Sequence, residues 1–328
     1  MKYFQKQESF VCVGNQPKQL RYSNIISPVK VYSYDYNNNM QVIEYVQDKD
    51  FVIKNGLLIR TDNSAMPDYK TSPFYNQQTF THVGLKEYGN APYMLYADYQ
   101  AQVDPQTTPE EIAVKISKNN GNYKILYDYF CNFNQKNFNL LIFGDSISVG
   151  GGTTNVEYSY FSRFIKLIEQ QFNLKVNLTN LSIAGESSRD GLLRYKTEIC
   201  KKYDLMILAY GMNDQNLTDD AKQNVCPQEY KSNLKTIVEH AAQFGTPTLL
   251  VTSCLPNPRW KFANPKINDF FEQARQLSKE KNLPLCDLAS LWQQEINYKS
   301  FSDLLENDIN HPSNYGHYLY FCMLKTLL

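Results

Sequence analysis

Two patterns of hydrophobic and polar positions divide the chain. In its first part apolar and polar residues alternate with a period of two, as in Lys30-Val31-Tyr32-Ser33-Tyr34-Asp35-Tyr36 and Gln41-Val42-Ile43-Glu44-Tyr45-Val46. Successive side chains of a strand face opposite ways, so this alternation, rich in aromatic and β-branched residues, predicts half-buried strands. Asn37-Asn38-Asn39 and Lys54-Asn55-Gly56 supply turns between them. Tyr93–Val103, Glu111–Ser117 and Tyr123–Phe130 read as further strands, so residues 1–136 are expected to form an antiparallel β-sandwich that breaks off near Asn132-Phe133-Asn134-Gln135-Lys136.

From Asn137 onward the texture changes to short apolar runs separated by amphipathic stretches. Leu140-Leu141-Ile142-Phe143 has the continuous apolar character of a strand covered on both faces. Further strands are expected over Val176–Ile183, Asp204–Tyr210, Thr246–Ser253 and Leu283–Leu288, and helices over Tyr158–Phe172, Gln228–Phe244 and Asn264–Lys281. A last amphipathic helix carries Leu319, Tyr320, Met323, Leu324 and Leu327. Strand and helix in alternation at these spacings predict, for residues 137–328, a three-layer α/β/α domain around a doubly wound parallel sheet with right-handed crossovers.

Composition narrows the function classes. A length of 328 residues suits two domains. Lysine plus arginine equals aspartate plus glutamate, 33 each, which gives no electrostatic reason to expect nucleic acid or an anionic membrane as partner. No run approaches the ~20 apolar residues of a membrane span. The start, Met1-Lys2-Tyr3-Phe4-Gln5-Lys6-Gln7-Glu8, lacks the apolar core of a secretory signal. Seven cysteines without a Cys-x-x-Cys pair, with Cys200, Cys254, Cys286 and Cys322 in or beside predicted elements, suggest buried free thiols and a reducing, cytoplasmic setting. No His/Cys cluster has metal-ligand spacing, so no metal is expected.

Candidate chemistry gathers at the ends of the predicted strands. Leu140–Phe143 breaks into Gly144-Asp145-Ser146, a turn that can expose a serine hydroxyl where open α/β sheets hold their ligands. A hydroxyl nucleophile needs a base, a group that orients the base, and donors for an oxyanion. Of four histidines, His82 and His240 suit structural or surface positions and His317 suits packing within the last helix. His311 stands apart in Asp308-Ile309-Asn310-His311-Pro312, where a tight loop can set a carboxylate beside an imidazole. The plainer alternative is that Asp308 and Asn310 cap the last helix. Gly185, after one strand, and Asn213, after another, offer a backbone N–H and a side-chain amide at the same edge, or else simply form turns.

These four blocks resemble those of the SGNH, or GDSL-type, hydrolase superfamily: Gly144-Asp145-Ser146, Gly185, Gly211-x-Asn213-Asp214 and Asp308-x-x-His311-Pro312, in that order. The resemblance spans about the last three-fifths of the chain. It implies a flavodoxin-like sheet, Ser146 as nucleophile, His311 as general base and acid, and Asp308 as its orienter. It further implies an oxyanion hole from the Ser146 and Gly185 N–H groups with the Asn213 amide, and no cofactor. Some carbohydrate esterases of this superfamily carry an amino-terminal, jelly-roll-like β-sandwich, and the architecture expected here is similar to theirs.

One more loop invites a functional reading. Cys254-Leu255-Pro256-Asn257-Pro258-Arg259-Trp260 follows a strand at the edge that carries Ser146, and Arg259 and Trp260 would suit a polar or sugar-like substrate. Equally, Trp260 would cover the junction with the β-domain. The expected activity is removal of acetyl or another short acyl group from a small-molecule or oligosaccharide ester. The rival chemistries are O-acyl transfer to a saccharide and lipid ester or lysophospholipid hydrolysis, although no apolar insertion that would lid a lipid site is evident. A carbohydrate-binding protein with a degenerate hydrolase domain is the non-enzymatic alternative, against which the intact Asp308 and His311 argue.

Overall fold

The computed structural model describes residues 1–85 and 89–328. Its amino-terminal part holds β1 (Lys2–Phe10), β2 (Lys18–Gln19), β3 (Lys30–Asp35), β4 (Gln41–Tyr45), β5 (Phe51–Lys54), β6 (Leu57–Arg60) and β7 (Leu95–Gln102). They form two antiparallel sheets, β1-β7-β3-β4 and β2-β6-β5. Alternate residues of both sheets, among them Phe10, Val31, Phe51, Leu58, Leu95, Ala97 and Tyr99, meet in one core. The period-two pattern thus yields a small sandwich.

Two expected strands are helices instead. Glu111–Ser117 lies in α1 (Pro109–Asn119) and Tyr123–Phe130 overlaps α2 (Tyr127–Cys131). The start signal for α1 is in the sequence: the Thr108 hydroxyl accepts the Glu111 N–H, Pro109 fills the first turn, and Glu110 and Glu111 face the helix N-terminus. Both helices pack on the carboxyl-terminal part, with Ala113, Leu126 and Phe130 sharing a core with Phe138, Leu319 and Met323. Backbone bonds from Lys124 to Thr326 and from Leu126 to Leu327 run along the same contact. The chain is therefore knitted together on both sides of Asn137.

The remainder alternates as expected: β8 (Asn137–Gly144), α3 (Ser146–Val149), α4 (Tyr160–Phe172), β9 (Lys175–Asn180), α5 (Ser188–Glu198), β10 (Leu205–Ala209), α6 (Pro227–Gln243), β11 (Thr248–Val251), α7 (Ile267–Lys281), β12 (Leu285–Cys286), α8 (Leu288–Glu295), α9 (Phe301–Leu304) and α10 (Asn314–Lys325). All strand pairs in this part are parallel, in the order β12-β11-β10-β8-β9. That is the flavodoxin-like order, and it reverses direction at β8. The apolar run of β8 serves both faces: Leu140 and Ile142 pack against α4, α8 and α10, and Leu141 and Phe143 against the layer of α6 and α7. A continuous apolar run is what a strand between two helical layers requires.

Buried charged and polar side chains join the two parts beside these apolar contacts. Lys299 and Glu8 form a fully buried pair at 2.6 Å, Arg21 and Glu295 a second at 2.8 Å, and Lys18 reaches the buried Asp303 at 2.6 Å. Tyr99 and the Arg21 N–H also donate to Glu8, so this buried carboxylate has several donors, as burial demands.

Candidate active site

The sheet reversal at β8 opens a crevice at the carboxyl ends of its strands, and the turn after β8 projects into it. Ser146 is the first residue of α3; Asp145 caps it, taking the Ile147 N–H at 3.0 Å. Burial pushes the Asp145 carboxyl up to about 7. Gly144 is needed here for space: a Cβ would lie 2.5 Å from the Ala209 carbonyl oxygen on β10 and 2.9 Å from Ser148 Oγ. Close strand packing, more than the bend itself, thus fixes a glycine at this position.

His311 arrives from the opposite end of the chain. Its Nε2 lies 2.9 Å from Ser146 Oγ. The loop between α9 and α10 holds it there: Asn307 Oδ1 accepts the N–H groups of Ile309, Asn310 and His311, and the Glu306 N–H donates to the His311 carbonyl. Burial pushes the imidazole down to about 4, so at neutral pH it is uncharged, and Nε2 is within reach to take the hydroxyl proton. His317 is buried with both ring nitrogens engaged, Nδ1 accepting from the Tyr160 N–H and Nε2 against the Gly151 carbonyl, and is a packing residue.

Asp308 sits differently from expectation. Among the described residues the only side-chain hydrogen bond of the His311 ring is the one to Ser146. The Asp308 carboxylate instead accepts from Tyr69 Oη at 2.6 Å and Asn257 Nδ2 at 3.1 Å, with Arg259 Nη2 3.6 Å away. The physical reason is local: at φ +57° Asp308 is left-handed, and its side chain meets three donors. Burial raises its carboxyl, and these donors oppose that rise.

The two expected oxyanion donors lie on either side of β8. Gly185, at φ +84° in the exposed loop after β9, has no atom within 4 Å of a would-be Cβ, so its dihedral and not crowding calls for glycine. Asn213 follows β10, and its Nδ2 donates to the Glu186 carbonyl at 2.8 Å, tying the two loops together. Asp214 clamps the N-terminus of α5 through the Ser188 N–H and hydroxyl.

Arg259 and Trp260 are committed to the junction. Trp260 is buried with Phe74, Phe80 and Ile309 and donates through Nε1 to His82. Arg259 donates to Ser302 Oγ and the Gln77 carbonyl and flanks Asp308. The loop's bridge to Phe80 draws both residues toward the β-region, which is the alternative already weighed for Trp260. Sequence reasoning missed Asn307, Asn257 and Tyr69. For Asn307 a signal existed, since an Asn opening a tight loop commonly accepts from the following N–H groups.

Among the described residues no three His, Cys, Asp or Glu side chains are arranged to hold a metal, and no helix is long and apolar enough to cross a membrane. All seven cysteines are free; Cys254, Cys286 and Cys322 are buried, whereas Cys200, just past α5, is exposed.

None of the curated proteins matches the chain. Among solved structures, a chain from Parabacteroides merdae described as a GDSL-like lipase superimposes with a TM-score of 0.51 at 18% identity, over 60% of this chain and 97% of that one. An acetyl xylan esterase from Geobacillus stearothermophilus gives 0.49 at 22% identity, over 58% and 94%. The lipase/acylhydrolase from Enterococcus faecalis gives 0.46 at 22%, over 58% and 93%. The model of the GDSL-like lipase/acylhydrolase family matches residues 142–319, more than half of the chain and all of the strand ends described above. The chain belongs to the GDSL-like lipase/acylhydrolase family and is an SGNH-type serine esterase.

Proposed function

We propose that the protein removes acetyl or another short acyl group from a carbohydrate through an acyl-enzyme on Ser146. The carrying observation is the 2.9 Å contact between Ser146 Oγ and the uncharged His311 Nε2 at the sheet reversal. Ser146 Oγ attacks the ester carbonyl while His311 takes its proton; the carbonyl electrons move onto oxygen, where the N–H groups of Ser146 and Gly185 and the Asn213 amide receive the charge. Collapse breaks the bond to the alcohol, which leaves with the proton from His311. Water, deprotonated by the same imidazole, then cleaves the acyl-enzyme and restores Ser146.

One feature supports the substrate class. On the β-region, a groove of about 620 Å³ is lined by Tyr34, Asp35, Tyr36, Tyr45 and Pro92. Aromatic faces beside polar groups suit sugars. The groove abuts Asn90, whose N–H donates to Glu306, which in turn donates to the His311 carbonyl. A panel of p-nitrophenyl esters and acetylated saccharides tests the assignment: kcat/KM should fall with acyl length and rise with a saccharide leaving group, and a preference for long acyl chains would overturn it.

A further inference from the structure

Tyr69 belongs to the β-region yet ends at the loop that carries His311. It opens a one-turn helix, Tyr69–Thr71, capped by Asp68, whose carboxylate accepts the N–H groups of Gly14 and Lys70. The Tyr69 N–H donates to the Cys12 carbonyl at 2.8 Å. The ring is buried edge-on against Tyr75 and Tyr93, with centroids 6.0 and 5.8 Å away. Backbone and ring are thus both fixed, and the hydroxyl has one direction to point. It donates to Asp308 Oδ2 at 2.6 Å and accepts from Ser302 Oγ at 3.3 Å.

The partner at the other end is equally constrained. Asp308 is fully buried, left-handed, and bound by Asn257 Nδ2 at both its carboxylate and its carbonyl. Three residues on, His311 contacts Ser146. A non-glycine residue at positive φ persists only where its surroundings hold it, and here the β-region supplies the shortest of the bonds that do so.

We propose that Tyr69 is a positioning residue for the esterase reaction: through the Asp308 carboxylate it fixes the 307–311 loop that presents His311 to Ser146. The inference rests on Ser146 and His311 being the reacting pair. The charged and titratable groups facing Asp308 are Tyr69 from the β-region and Arg259 from the loop after β11, beside the neutral Asn257 and Ser302. Burial raises Tyr69 to about 12, so it stays a donor throughout the working range. Removing that donor lets Asp308 hold a proton to higher pH, which loosens its hold on Asn257 and Arg259.

The test is Tyr69→Phe in the full-length protein, with kcat expressed per active site titrated by a fluorophosphonate. The expected result is a roughly 10- to 100-fold lower kcat on p-nitrophenyl acetate, KM changed less than about 2-fold, and the acid limb of kcat/KM moved to higher pH. Tyr93→Phe removes a hydroxyl from the same aromatic cluster and should leave all three unchanged. Should Tyr69→Phe not fold, fluorotyrosine at position 69 keeps the ring and makes the hydroxyl a stronger donor; the acid limb then moves to lower pH. An unchanged kcat per active site with an unmoved acid limb would overturn the proposal. Ser146→Ala separates the two ideas, because activity surviving in that variant refutes the reacting pair whatever Tyr69 does.

Discussion

The carboxyl-terminal sheet and the amino-terminal sandwich bury their polar groups in opposite ways. Leu140–Phe143, Leu205–Leu208 and Leu249–Val251 form an apolar slab whose chemistry appears only where the strands end. The sandwich and its junction instead bury Glu8, Arg21, Asp303, Lys299 and the hydroxyls of Tyr69 and Tyr99, each with named partners. Apolar packing is close but not directional, and it suits a rigid floor for Ser146. Hydrogen bonds are directional, and they suit the bracing of a single loop. On the proposed assignment the reacting pair comes from one region, while part of what aims it comes from the other.

The sharpest way to break this contrast is at the nucleophile. Ser146→Ala, with folding checked by circular dichroism, should lower kcat by at least roughly 10³-fold. Near-normal turnover would show that the chemistry lies elsewhere.

The junction comes next. Lys299→Met leaves Glu8 buried without its ammonium, and breaking a buried pair in this way typically costs about 3–5 kcal/mol. Chemical denaturation should show that loss in a single transition shared by both regions. A change below about 1 kcal/mol, or two separate transitions, would mean that the regions fold independently.

Asp308→Asn then distinguishes loop bracing from direct control of the imidazole. Because the carboxylate faces Tyr69, Asn257 and Arg259, the expected loss is about 10- to 100-fold, against the roughly 10⁴-fold typical where an aspartate holds the histidine tautomer. A loss of the larger size would place Asp308 on the His311 ring during turnover.

The smallest effect is one of pH. His311 must be uncharged to accept a proton, and burial lowers it to about 4, so kcat/KM should stay level from neutrality to about pH 5 and fall below about pH 4. Stability over the same range is nearly balanced. The lowered His311 and His317 withhold protons that the unfolded chain would bind, so their contribution is lost as pH falls from 6.5 toward 4. The raised Asp145, Asp214 and Glu306 hold protons that the unfolded chain would release, so theirs is lost as pH rises from about 4 to 7. A steep unfolding transition between pH 5 and 6 would contradict this balance.

Much of the hydrolase part was legible because its strands and helices follow one period each. The pattern alone places the Leu140–Phe143 run in a central strand, three of the four blocks after strands and the Asp308–His311 block before the last helix. The aromatic and β-branched residues between Glu111 and Phe130 suggest strands, whereas the cap at Thr108 and Pro109 starts a helix there. The spacing of Asp308 to His311 suggests a direct contact, and spacing does not reveal that the carboxylate is taken by Tyr69 and Asn257. Tyr69 lies 239 residues from the aspartate it holds, a contact that no local pattern encodes.

The central claim is that Ser146 and His311 carry out acyl transfer, and trapping the intermediate tests it most directly. Rapid quenching during turnover of a short-chain ester, followed by peptide mass spectrometry, should find the acyl group on Ser146 in the wild-type enzyme and none in Ser146→Ala. An acyl group on another residue, or turnover with no covalent intermediate under conditions that trap a control serine esterase, would contradict it.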